Sequence, residues 1–176
     1  MKMIRLVGFV IWLTLWSSPV VAQEISTHSA IRELAPGLPR IVARKYAKII
    51  DRETSKKLID PLLLVAFIHS ESNWRKRLRS FTNDYGLAQV HVAERGSATF
   101  LGRETELYDP STNIKEWCRL ASMWRNYHYR TCNKDHNWWS HLKWGYLIKE
   151  SKTSGNIERI YDLLKKKYQR LVLSES

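Results

Sequence analysis

"DPLLLVAFIHSESNW", Asp60 to Trp74, carries the clearest structural signal in the chain. Asp60 is a good N-cap, and Pro61 suits the first helical position, where its missing N–H leaves no bond unmade. Leu62 to Ile68 is almost entirely apolar, which predicts a helix buried on most sides. Buried helices usually stay apolar to their ends. This one closes on His69-Ser70-Glu71-Ser72-Asn73, so Glu71 is the residue that needs explaining.

Working outward, a preceding helix is predicted from about Leu38 to Glu53, with Val42, Tyr46, Ile49 and Ile50 at helical spacing. Gly86 is expected to begin a short helix over Leu87 to Val92. Asp109-Pro110 repeats the cap-then-proline signal and opens a long helix from about Asn113 to Tyr129. In the tail, Ile157, Ile160, Tyr161, Leu164, Tyr168 and Leu171 share one stripe, with Lys165, Lys166 and Lys167 beside it. The tail therefore reads as an amphipathic packing helix with a wet basic face. With no strand pattern of useful length, no repeat and no low-complexity tract, the fold class is all-α or mainly α.

The N-terminus sets the compartment. Lys2 and Arg5, an apolar run from Leu6 to Trp16 and the small-residue site Val20-Val21-Ala22 read as a secretory signal peptide over residues 1–22, cleaved after Ala22. The run is too short for a bilayer span, which takes about 20 residues. Residues 23–40, with Pro36, Gly37 and Pro39, are expected to form a loose leader, and residues 41–176 a single domain. The whole chain has 29 bases and 17 acids; without Lys2 and Arg5 the formal charge is +10. That balance calls for an anionic partner. Export points away from nucleic acid and toward the cell wall or an anionic membrane surface.

Glu71 has two readings. Phe67 and Ile68 precede it by one helical turn and Trp74 lies beyond it at i+3. A carboxyl in such company is poorly solvated, which raises its pKa and lets it donate a proton near neutrality. Alternatively it is one more exposed acid at a helix C-terminus, where the dipole slightly disfavours it. The residues C-terminal to Glu71 favour chemistry. Gly86 permits a turn that brings backbone close to a ligand, and Gln89 offers both a donor and an acceptor. Trp74, Trp117, Trp124, Trp138, Trp139 and Trp144 suit stacking on sugars, although most are expected to fill the core.

These motifs in order, "DPLLLVAFIHSESNW", Ser80, "YGLAQV" and "LYDPSTNI", resemble the soluble lytic transglycosylases, relatives of goose-type lysozyme. The resemblance covers about Ile41 to Tyr168 and implies a lysozyme-like helical domain. It also implies cleavage of peptidoglycan between N-acetylmuramic acid and N-acetylglucosamine, leaving a 1,6-anhydromuramyl end, with no cofactor. By the same resemblance Glu71 is the catalytic acid and then the base, and Ser80 binds near the acetamido group. Gly86, Leu87, Ala88 and Gln89 line the cleft, with Ala88 where methionine is usual, and Asn113-Ile114 is a structural pair. A departure stands late in the chain. Where the family has a tyrosine that supports the acid and an asparagine that faces substrate, "HLKWG" puts Leu142 and Lys143. Lys143 and Tyr146 are the local candidates for substrate contact, and Tyr146 or Tyr85 for the missing hydroxyl.

The resemblance implies a periplasmic or secreted enzyme whose partner is the glycan strand, in the manner of members that open the wall for secretion, conjugation or pilus complexes. No nucleic acid is expected, and no transmembrane span after signal cleavage. Two alternatives stay open: a peptidoglycan-binding module with weakened catalysis, and a hydrolytic lysozyme using Asp84 or Glu94 as second carboxylate. Six histidines show no ligand spacing that predicts a metal site, and His69 reads as structural. Cys118 and Cys132 could pair after export. On one unbroken helix, however, they would lie about 21 Å apart, against the roughly 7 Å a disulfide spans.

Overall fold

α3, Pro61–Ser72, is the centre of the molecule and its form is dictated by its sequence directly. Asp60 accepts a hydrogen bond from Leu62 N at 2.9 Å, and every residue from Pro61 to Ile68 is buried. The structure, a computed structural model, describes residues 19–92, 100, 102–132, 137–144 and 154–174. Among these are α1 (Pro19–Leu34), α2 (Arg40–Ser55), α3, a two-stranded antiparallel hairpin of β1 (Asp84–Tyr85) and β2 (Val90–His91), α4 (Pro110–Thr131), α5 (His141–Trp144) and α6 (Ser154–Ser174). Short 3-10 turns, Glu104–Tyr108 and Trp138–Ser140, precede α4 and α5. The fold is mainly helical, as the sequence implies.

α1, α2 and α6 all pack against α3, and α4 packs on α2. α6 lays Ile157, Ile160, Leu164 and Tyr168 into the core, while Tyr161 donates to Asp60 Oδ2 at 2.8 Å. The cap of α3 is thereby tied to the tail helix. α4 repeats the same device, with Asp109 accepting from Thr112 N at 2.8 Å. None of the described helices is long and apolar enough to cross a membrane.

Two expectations change. The 23–40 segment is not a loose leader, because α1 runs to Leu34 with Thr27, Ala30 and Ile31 fully buried. Thr27 donates to Asp51 Oδ1 at 2.7 Å, and Lys167 and Tyr168 both reach Glu33 at 2.7 Å. Thr27, Ala30 and Ile31, mixed with His28, Ser29 and Arg32, make too slight an apolar face to announce a helix, and the Pro-Gly-Pro break marks only the α1–α2 corner. The short helix expected over Leu87 to Val92 is instead the hairpin turn and β2. The helix carrying Cys118 is unbroken: α4 is continuous from Pro110 to Thr131, and Cys118 and Cys132 are both free thiols. Burial pushes the Cys118 thiol up to about 12, leaving it protonated and inert.

Candidate active site

Glu71 sits half-buried in the last turn of α3, held by what stops the helix. Asn73 and Trp74 both take left-handed conformations, at φ 47° and 66°, so the chain folds back sharply after Ser72. Left-handed backbone is unfavourable for a side chain as large as Trp and persists only where packing fixes it. The packing is present: Trp74 is buried and stacks on Tyr46 at 6.2 Å. Asn73 N donates to His69 O, Ser72 Oγ to Ile68 O, and Arg75 Nε to Ser72 O. One turn back, Phe67 meets the Trp117 edge at 5.0 Å, tying this end of α3 to α4. The acid therefore projects from a backbone anchored on both sides of it.

The sequence after the basic run builds the second element. Ser80 is the hub of a tight loop: its hydroxyl lies 2.7 Å from Asp84 Oδ2 and 2.8 Å from Thr82 Oγ1, and accepts from Thr82 N and Asp84 N. Asp84 also meets His91 Nδ1 at 2.8 Å across the hairpin. Gly86, at φ +78°, is required for two reasons. Its backbone is left-handed, and a Cβ there would fall 2.2 Å from Leu107 O and 2.4 Å from Asn113 Nδ2. Asn113 is fully buried and donates to Tyr85 O (2.7 Å) and Leu107 O (3.0 Å) while accepting from Ala88 N (2.8 Å). One side chain thus pins the glycine turn to the start of α4.

Around that turn the predicted contact residues differ in what they can offer. Leu87 and Ala88 point into the core, and Ala88 N is already engaged. Both amide hydrogens of Gln89 go to Gly86 O (2.8 Å) and Leu78 O (3.3 Å), leaving its carbonyl oxygen for a ligand. Beside the loop a depression of about 610 Å3 is lined by Arg79, Asn83, Val92 and residues 102–105. Another, of about 820 Å3, has His69 on its wall between α1 and α6. Burial pulls the His69 imidazole below its ordinary pKa, which fits a neutral structural role.

Tyr85 does not supply the missing hydroxyl. Its ring is buried under the Arg79 guanidinium and its OH donates to Glu104, a bond that pushes the phenol pKa up. Leu142 is half-buried against the core. Tyr146 and Glu94 lie outside the described residues, as does the side chain of Lys143, which stands in α5.

The acid-bearing helix is buried along most of its length, and Asn113 ties the glycine turn to α4. A model of the transglycosylase SLT domain matches residues 48–141, more than half of the chain. The chain belongs to the SLT transglycosylase family. The matched region begins within α2 and ends at His141, so it spans α3, the hairpin and α4. No curated protein and no solved structure matches the chain. Membership in the SLT family makes peptidoglycan the substrate class.

One cluster is not foreshadowed by the sequence motifs. Apart from the Glu71 helix and the glycine turn, His128, Cys132 and His141 bring ligand atoms within 4.8 Å of one another at the C-terminal end of α4. The signal was available in the four-residue spacing of His128 and Cys132, which places both on one helix face. His141 joins them only because the chain turns back, which spacing does not reveal.

Proposed function

We propose that this protein is a peptidoglycan lytic transglycosylase with Glu71 as its acid and base. Glu71 protonates the glycosidic oxygen as the bond between muramic C1 and that oxygen breaks. The muramyl C6 oxygen then closes on C1, and its proton returns to the Glu71 carboxylate. No water is consumed, so a single carboxyl serves both steps. The observation that carries this reading is the family match, together with the place of Glu71 at the half-buried end of α3. Ser80 supports the site by shaping the 80–84 loop, and the Gln89 carbonyl oxygen is the free acceptor for a sugar N–H or hydroxyl. Gly86 sets the close approach of backbone, while Leu87 and Ala88 contribute the floor beneath it. Lys143 and Tyr146 are assigned to substrate contact by their position in and after "HLKWG".

The exposed bases Lys76 and Arg77 face the anionic wall, and the mature chain works in the periplasm or outside the cell. Cleavage after Ala22 would spare every buried residue described in α1, beginning with Thr27. A single small helical domain suits local wall opening beside a secretion, conjugation or pilus complex.

A second reading is favoured by one observation: the late motif carries Leu142, which has no hydroxyl to offer. On that reading the chain binds peptidoglycan and cleaves it weakly. Asp84 is disfavoured as the second carboxylate of a hydrolase, since it is already engaged by Ser80, Thr82 and His91. Incubation with purified sacculi separates the readings. The transglycosylase releases soluble muropeptides and Glu71→Gln does not; a binding module pellets with the wall and releases none.

A further inference from the structure

The C-terminal end of α4 carries a group of side chains that proton transfer at Glu71 does not use. His128 and Cys132 stand one helical turn apart. Cys132 caps the helix with its N–H held by Tyr127 O and His128 O, both at 3.2 Å, so its thiol stays beside the His128 ring. Nine residues later the chain has turned back. Asn137 donates to Glu158 Oε1 at 2.7 Å, Trp138 is buried, and His141 begins α5 directly against α4.

His141 is 2% exposed, and its ring is fixed on three sides. It stacks on Trp124 at 5.3 Å and 7°, meets the Tyr127 edge at 5.2 Å, and lies 5.6 Å from the His128 ring. An imidazole held this way has little rotamer freedom left to lose on binding. The ligand atoms of His128, Cys132 and His141 all lie within 4.8 Å of one another. A tetrahedral ion bound at about 2.0–2.1 Å to nitrogen and about 2.3 Å to sulfur requires separations near 3.3–3.6 Å. Closing that gap takes a shift of roughly 1 Å.

We propose that His128, Cys132 and His141 form a site for a borderline-soft divalent transition-metal ion of the zinc class. The donor set decides the class: two imidazoles and a thiolate among the described residues match zinc and not the oxygen-seeking calcium or magnesium. Binding forms one metal–sulfur and two metal–nitrogen bonds and releases the Cys132 thiol proton to solvent. The three ligands found among the described residues fill three of the four positions of a tetrahedral ion. Cys132 and His128 are half-exposed, which gives the ion a route in. The ion would clip the end of α4 to the start of "HLKWG", the stretch where this chain departs from its family.

The test is titration of the full-length, reduced, metal-free protein with Co2+ and then Zn2+. Expected are one Co2+ per chain, tetrahedral d–d bands, a thiolate-to-cobalt charge-transfer band, loss of all bands on adding Zn2+, and a higher Tm with Zn2+. Cys132→Ser should abolish the charge-transfer band and weaken binding by at least about tenfold. Cys118→Ala should retain the band, because Cys118 is buried and about 21 Å away along the helix. His128→Gln, checked for folding by circular dichroism, should weaken binding to a similar degree. An octahedral spectrum in the wild-type protein, or a charge-transfer band that survives Cys132→Ser, overturns the site.

Discussion

The two ends of the matched region are built by different physics. Around α3 and the hairpin, position is fixed by buried backbone. Two left-handed residues stop the helix, and Asn113 satisfies three main-chain groups at once. Around the end of α4 and α5, position is fixed by ring contacts: Trp124 stacks face to face on His141, and Tyr127 and His128 meet His141 face to edge. Backbone bonds buried from water accept few substitutions, because each orphaned group carries its full desolvation penalty. Ring contacts tolerate exchange among apolar residues more readily. The first end keeps the family motifs, and the second is where "HLKWG" replaces them.

That contrast can be broken by mutation. Asn113→Ala should be the most damaging, leaving Ala88 N, Tyr85 O and Leu107 O buried without partners and costing about 3–5 kcal/mol. Chemical denaturation would show it, and a loss under about 1 kcal/mol would mean the turn is not held by this side chain. Trp124→Leu should cost less, about 1–2 kcal/mol, through the lost stack on His141. Hydrogen exchange should then rise over residues 137–142 and stay unchanged at the hairpin. Matching increases at both ends would show that the two regions unfold as one.

The smallest effect is in pH. Burial depresses the His69 pKa below its ordinary 6.5, so the folded protein binds fewer protons there than the unfolded chain does. Its contribution to stability is full above about pH 6.5 and is lost as pH falls toward the folded value. His69→Gln should flatten the stability profile over that interval. An unchanged slope would place the pH dependence elsewhere.

How far the sequence could be read obeys the same division. α3 and α4 were legible because Asp-Pro starts them and an apolar run or stripe continues them. The Glu71 position was legible because a polar cluster at the end of a buried helix is anomalous. The hairpin was not, since strands of two residues carry no alternation and Gly-Leu-Ala-Gln has ordinary helix formers after its glycine. α1 was hidden by its mixed composition. The role of Ser80 as a loop hub, and the engagement of Tyr85 with Glu104, are long-range outcomes that spacing does not encode. The His128–Cys132–His141 group belongs with these, because its third member arrives through a chain reversal.

The central claim is that one carboxyl, Glu71, both gives and takes the proton. The mass of muropeptides released from purified sacculi tests it most directly. Wild-type protein should yield 1,6-anhydromuramyl ends, lighter by one water than reducing ends, and Glu71→Gln should lower release by about 100- to 10,000-fold. Reducing-end products, or undiminished release by Glu71→Gln, would contradict it.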